Sequence, residues 1–150
     1  MAGDGETATP PLIALCRRRV RFEEVDMLRI VWHGNYVSFL DDGRVALGKK
    51  YPEVSYARLV GAEIAAPLVR LKIDYKSPLR LDEEMAIETR LNWTDAARLD
   101  FSYIIRGEDG RTAALAETVQ LFTEPGSGEL LFILPEWMED FRRRWQEGRL

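Results

Sequence analysis

Apolar and polar positions follow two different periods along this chain. From about residue 68 to residue 123 the period is two. In "LVRLKIDYK", Val69, Leu71, Ile73 and Tyr75 alternate with Arg70, Lys72, Asp74 and Lys76. In "EMAIETRLNW", Met85, Ile87, Leu91 and Trp93 share one face, with Glu88, Arg90 and Asn92 opposite. Leu99, Phe101, Tyr103 and Ile105 alternate in "RLDFSYIIR", and Leu115, Val119 and Leu121 share one face of "TAALAETVQLFT". Strict alternation marks half-buried antiparallel strands rather than strands sandwiched between helices. The connections agree: "GEDG" is a tight hairpin signal, "SPLRLDE" and "TDAA" are short loops, and "EPGSG" is a turn. "LLFILP" predicts one more short strand, and "PEWMEDFRRRWQEG" a C-terminal helix from near Pro135.

The earlier part of the chain reads differently. "IALCRRRVRFE", residues 13 to 23, predicts a first strand with basic residues on a solvated side. A helix is expected from Asn35 to about Tyr51, where Tyr36, Phe39, Leu40, Gly43 and Leu47 build one apolar face. Asn35 is the expected N-cap, Lys49 and Lys50 suit the last turn, and Pro52 stops the helix. Gly43 and Gly48 inside it cost roughly 1 kcal/mol each against alanine. A helix that keeps them needs something passing close by, such as a sheet wrapped around it. "SYARLVG" predicts a helical turn closed by Gly61. One strand, one long helix, then four or five antiparallel strands make an α+β layout, with the helix as the cover for one face of the sheet.

Composition narrows the function. The chain has 150 residues, 46% hydrophobic and 31% charged, which suits one domain with one core. A net charge of -4 argues against nucleic-acid binding, while a local basic patch still suits an anionic small ligand. The single cysteine, Cys16, cannot form an internal disulfide. The first eleven residues, "MAGDGETATPP", lack the charged and apolar regions of a signal peptide. The expectation is a cytoplasmic protein with a flexible tail over residues 1–11 and a single domain over 12–150. No apolar run approaches the roughly 18 residues of a membrane span. No metal is expected, since neither a second histidine nor a cysteine lies at ligand spacing from His33.

The candidate chemistry lies in "EEVDMLRIVWHGNYVSFLDDGR", residues 23 to 44, which holds the only histidine. Asp26 is followed by Met27, Leu28, Ile30, Val31 and Trp32, too apolar for a plain solvent loop. The segment is expected to pack and to take the Asp26 carboxylate partly out of water, which makes it a better base or nucleophile. Residues 33 to 36 lead into the helix, so their backbone N–H groups lack intrahelical partners and carry partial positive charge. Such groups hold an oxyanion, and a carboxylate facing them suits attack on an activated carbonyl. No G-x-S-x-G elbow offers a serine instead.

This stretch resembles the signature of hotdog-fold acyl-CoA thioesterases of the 4-hydroxybenzoyl-CoA thioesterase type. Asp26, Val31, Trp32, His33, Asn35 and Tyr36 match that pattern in order and spacing. The resemblance continues through "PLVRLKIDYKSPLRLDEEM" and "FSYIIRGEDGRTAALAETV", covering about residues 14 to 123. It implies a sheet wrapped around the central helix, and homodimers or homotetramers whose active sites are shared between subunits. It implies Asp26 as catalytic nucleophile or general base, and the His33 backbone N–H as the group that polarises the thioester carbonyl. Val31, Trp32, Asn35 and Tyr36 would border the substrate, and Arg70, Lys72 and Lys76 are the candidate contacts for the nucleotide of coenzyme A. Coenzyme A enters as part of the substrate and no separate cofactor is implied. An acyl carrier protein thioester is the other substrate form.

One departure is plain: Arg29 stands where the family usually has glycine. If the loop needs φ > 0 there, arginine costs about 1 kcal/mol, or the loop takes another path. Asp41 or Asp42 is a second candidate acid, since some hotdog thioesterases carry theirs on the helix. Three readings follow. The first is a thioester hydrolase. The second is a non-catalytic acyl-binding or assembly module, with Arg29 marking a lost site. The third, a hotdog hydratase, ranks last because its Gly-Asp-x-Asn-Pro-x-His type of stretch is missing.

Overall fold

Alternation in the sequence becomes a five-stranded antiparallel sheet in the computed structural model, which describes residues 8–150. The strands are β1 (Leu12–Arg19), β2 (Leu68–Tyr75), β3 (Glu84–Asn92), β4 (Arg98–Arg106) and β5 (Thr112–Leu121), in the spatial order β1-β3-β4-β5-β2. The helices are α1 (Tyr36–Lys50), α2 (Tyr56–Gly61) and α3 (Glu136–Gln146). Of the expected tail, residues 1–7 lie outside the described residues. Its end is tied down, because the Trp145 indole N–H of α3 donates to the Pro10 carbonyl at 2.8 Å.

Helix α1 lies across the sheet, packed chiefly on β1 and β3. Phe39 and Leu47 of α1 and Met85 and Ile87 of β3 are fully buried at this contact. Gly43 is needed there: a Cβ on it would stand 2.2 Å from Thr89 Oγ1 and 2.9 Å from Ile87 Cγ2. At Gly48 the neighbour is the chain entering α2 rather than the sheet, with Ser55 Cα 3.0 Å from where a Cβ would be. The α2 turn starts at Ser55, whose hydroxyl accepts the Arg58 N–H. Gly61 is its last helical residue, and the left-handed residue that turns the chain away is Glu63, at φ 56°.

Several expectations need correction. The first strand ends at Arg19 rather than at residue 23. The Glu24 carboxylate accepts the Arg21 N–H at 2.7 Å and folds residues 22–24 into a 3₁₀ turn. In β5 the face carrying Leu115, Val119 and Leu121 is the outer one. Ala114, Ala116, Thr118 and Gln120 face inward. Small and polar groups suit that place because Arg44 of α1 fills it. Its guanidinium lies over Tyr56 and Phe101, its Nε donates to Gln120, and burial pushes its pKa down. "LLFILP" forms no strand. β5 already has a neighbour on each side, so only its overhanging Thr123 accepts a bridge, from Leu130. Phe132 and Ile133 stand exposed beside it.

The largest departure is β2. Leu71 and Tyr75 share the inner face, yet both are exposed, as are Leu68 and Val69. β2 is an edge strand, and α1 does not extend far enough to cover it. An apolar face lies bare along this edge of the chain.

Candidate active site

The loop before α1 is shaped by backbone bonds. The Asp26 N–H donates to the Ile30 carbonyl at 2.9 Å and the Arg29 N–H to the Asp26 carbonyl at 3.0 Å, closing a tight turn. Val25 and Val31 bridge across its base. Arg29 sits at φ 61°, so the loop takes the left-handed path that glycine would take and the arginine bears the strain. Ile30 bridges to Arg80 and the Val31 N–H donates to the Leu79 carbonyl at 2.8 Å, which pins the loop to the segment between β2 and β3.

Glu24 anchors the other side. Its carboxylate holds Arg18 at 2.6 Å, and its carbonyl accepts the Trp32 N–H at 2.9 Å and the Asn35 side-chain amide at 2.8 Å. Asn35 is therefore not the side-chain N-cap that its type suggested. It has helical φ and ψ, and its amide reaches back to Glu24. A 3₁₀ turn, His33–Asn35, runs directly into α1 and moves the first free N–H groups to His33 and Gly34.

Their direction follows from the bonds around them. The Trp32 carbonyl is held along the helix by the Asn35 N–H at 2.9 Å, so the His33 N–H of the same trans peptide points the opposite way, out of the helix start. The His33 carbonyl accepts both the Tyr36 N–H and, at 2.8 Å, the Tyr75 hydroxyl, so the Gly34 N–H also points outward. Among the described residues no acceptor takes either N–H. These are the orphan donors of a helix start, a place suited to an anionic oxygen.

Asp26, Ile30, Val31, His33, Tyr36, Tyr75, Lys76, Ser77 and Pro78 line one cavity of about 320 Å³. The Leu28 N–H donates to Asp26 Oδ1 at 2.8 Å, and among the described residues nothing pairs with the other carboxylate oxygen. The Tyr36 ring meets the Tyr75 ring edge-on at 5.0 Å, and burial pushes the Tyr36 phenol pKa up. The site thus brings together a carboxylate, the free backbone donor of His33 and two tyrosines, with the Gly34 N–H next along the chain.

Of the expected site residues, Asp26, His33, Val31, Tyr36 and Lys76 meet here. Trp32 stands outside the cavity with its ring against His33, at 5.1 Å between centroids. Asn35 works behind the wall through Glu24. Arg70 and Lys72 point to the other face of the sheet, paired in register with Val119 and Glu117, and the Lys72 amine lies 3.7 Å from Asp74. Neither lines this cavity. Asp42 is tied to Arg18 at 3.1 Å. Neither Asp41 nor Asp42 lines the cavity.

The expected packing of the Asp26 segment is also corrected. Met27 is 99% and Leu28 75% exposed, and Asp26 itself is exposed. Met27 and Leu28 find nothing to cover them within one chain, whereas Val31, as expected, is buried.

Sequence reasoning missed Glu24 and Tyr75. The signal for Glu24 was present, two residues before Asp26. Tyr75 read only as the last apolar position of a strand.

Comparison with known proteins agrees with this architecture. A family model described as the Thioesterase-like superfamily matches residues 20–144. The acyl-CoA thioester hydrolase YbgC of Escherichia coli O157:H7 is 24% identical over 107 residues, 71% of this chain and 79% of that protein. The crystal structure of a DHNA-CoA thioesterase from Staphylococcus aureus superposes with a TM-score of 0.78 at 22% identity, covering 92% of this chain and 96% of that one. That of Slr0204, a 1,4-dihydroxy-2-naphthoyl-CoA thioesterase from Synechocystis, gives 0.76 at 16% identity, covering 87% and 96%. With its helix-wrapping antiparallel sheet and a family match that runs from the end of β1 into α3, this chain belongs to the thioesterase-like superfamily and has the hotdog fold.

Proposed function

We propose that this protein hydrolyses an acyl thioester of coenzyme A or of an acyl carrier protein. One observation carries the reading: Asp26, a carboxylate with a free oxygen, and His33, whose outward-pointing backbone N–H has no acceptor among the described residues, line the same cavity at a helix start. The thioester oxygen takes the place in front of the His33 N–H, with the Gly34 N–H beside it. Negative charge that develops there on attack is met by fixed donors. Asp26 acts from the other side by one of two routes. As base it takes a proton from water while the hydroxide adds to the carbonyl carbon. The C–S bond then breaks and the thiolate leaves with a proton. As nucleophile it forms a mixed anhydride, releases the thiolate, and water cleaves the anhydride in a second step. Tyr75 is a positioning residue on this reading, because its hydroxyl fixes the carbonyl of the peptide that aims the Gly34 N–H.

On this reading Lys76, on the cavity wall and without a carboxylate partner among the described residues, is the candidate contact for the phosphates of coenzyme A. Coenzyme A is then part of the substrate, and this route uses no separate cofactor. Arg29 keeps the loop on the left-handed path, which argues for an intact site over a lost one. The uncovered β2 edge and the exposed Met27 and Leu28 support the homodimer or homotetramer with shared sites that the family resemblance implies.

The test is hydrolysis of a panel of short, long and aromatic acyl-CoAs, read as free thiol, with Asp26→Asn as control. Turnover by the wild type and a loss of about a hundredfold or more in the variant are expected. An Asp26→Asn protein that stays folded and nearly as active refutes the mechanism.

A further inference from the structure

We propose that Arg18 is a positioning residue for the hydrolysis: through Glu24 and Asn35 it fixes the peptide that presents the His33 N–H to the substrate. Its role in turnover rests on the hydrolase reading, whereas the mechanical link does not.

The free donor belongs to the peptide between Trp32 and His33, and Trp32 is held at both of its backbone groups. Its N–H donates to the Glu24 carbonyl at 2.9 Å, and its carbonyl accepts the Asn35 N–H at 2.9 Å. The Asn35 side-chain amide returns to the same Glu24 carbonyl at 2.8 Å. These three bonds close a ring, and the Glu24 carbonyl accepts two of them, its full capacity. Where that carbonyl stands decides where the His33 N–H points.

Glu24 lies in a 3₁₀ turn of three residues, Phe22–Glu24, which is too short to be rigid by itself. Two bonds to one carboxylate oxygen hold it. The Arg21 N–H donates to Glu24 Oε1 at 2.7 Å from within the turn, and Arg18 Nη2 donates to the same oxygen at 2.6 Å from β1. Arg18 also reaches beyond the turn. Its Nη1 donates to Asp42 Oδ2 of α1 at 3.1 Å, and its guanidinium lies 4.9 Å from the centre of the Phe39 ring. A planar fork with five donors is suited to bridge two carboxylates in this way. One side chain thus ties the turn that anchors the donor peptide to the helix that begins with that peptide. The Arg18 and Glu24 side chains are only 15% and 11% exposed, so water screens their pairing weakly.

Neither Arg18 nor Glu24 lines the cavity, so their effect on turnover passes through the backbone. The thioester oxygen gains negative charge only as the carbonyl carbon is attacked. A misdirected donor therefore weakens the transition state more than the bound ground state, and lowers kcat more than it raises KM.

Two measurements on the full chain test this. The first needs no substrate. Amide hydrogen exchange is followed by NMR at Trp32, with Tyr103 of β4 as the reference for global opening. In Arg18→Met and in Asn35→Ala the Trp32 amide is expected to exchange about tenfold faster relative to Tyr103. An unchanged ratio in Arg18→Met overturns the link. The second is acyl-CoA hydrolysis. Each variant is expected to lose about tenfold in kcat with KM within about twofold of the wild type. The double variant is expected to lose about as much as the worse single one, because both act through one carbonyl. Lower thermal stability with kcat intact, or losses that multiply to about a hundredfold, overturn the positioning role. If Arg18→Met does not fold, Arg18→Lys takes its place with the same readings, since it keeps a cation beside Glu24 but loses the fork. A wild type that hydrolyses no acyl-CoA refutes the hydrolase reading and with it the role in turnover, and the Trp32 exchange still decides whether Arg18 holds the peptide.

Discussion

Replacing Arg29 separates backbone strain from side-chain charge at the edge of the site. Arg29 holds φ 61°, is exposed, and has no ion-pair or hydrogen-bond partner for its guanidinium among the described residues. A non-glycine residue in the left-handed region is disfavoured by about 1–2 kcal/mol. Glycine removes that term but frees the unfolded chain, which returns about 0.4–1 kcal/mol. Arg29→Gly is therefore expected to stabilise by about 0.5–1 kcal/mol, a rise of roughly 1–4 °C in Tm for a domain of this size. Arg29→Ala keeps the strain and loses only an unpaired side chain, so it should stay within about 0.5 kcal/mol of the parent. Urea unfolding of the three proteins, with equal m-values as the check on a common two-state transition, gives both differences. The reasoning fails if glycine destabilises, or if alanine costs as much as glycine gains. Either result would mean that the guanidinium holds the loop.

Other consequences follow from particular contacts. Tyr75→Phe removes the hydroxyl that holds the His33 carbonyl at 2.8 Å, and about 1 kcal/mol, or roughly fivefold in kcat/KM, should be lost with the fold intact. Gly43→Ala improves helix propensity by about 1 kcal/mol but drives a methyl into Thr89 and Ile87, so a net loss of about 1–2 kcal/mol is expected in thermal unfolding. Glu83, hydrogen-bonded to Arg111, has its pKa lowered to about 2 from 4.5. Its folded-state pKa is depressed, so its stabilisation is complete above about pH 5 and is lost as pH falls from there toward 2. On the order of 2 kcal/mol should go in that window, less than the full shift implies because the Arg111 end is open to solvent. Glu83→Gln should flatten that part of the stability–pH curve in denaturant titrations.

The sequence alone determined more of the local structure than of the site. Period-two alternation set the four later strands, and i, i+3, i+4 spacing set α1, because those patterns report which positions a regular backbone turns toward one side. The spacing from Asp26 to Tyr36 pointed to the right loop, since a carboxylate and a helix start ten residues apart are joined by short-range chain geometry. Alternation does not say which of two faces is inside when both carry apolar groups. In β5 only the burial of Arg44 beneath the sheet decided that Ala114, Ala116, Thr118 and Gln120 turn inward. Asn35 has the right type for a cap, but the Glu24 carbonyl, eleven residues away, competes for its amide and wins. Arg70, Lys72 and Lys76 are alike in sequence. The pleat of β2 turns the first two to the outer face, whereas Lys76 lies past the last strand residue, Tyr75, and lines the cavity. Each of these choices depends on groups distant in the chain and close in space. Tertiary packing alone, acting through excluded volume and competition for hydrogen-bond partners, could settle them.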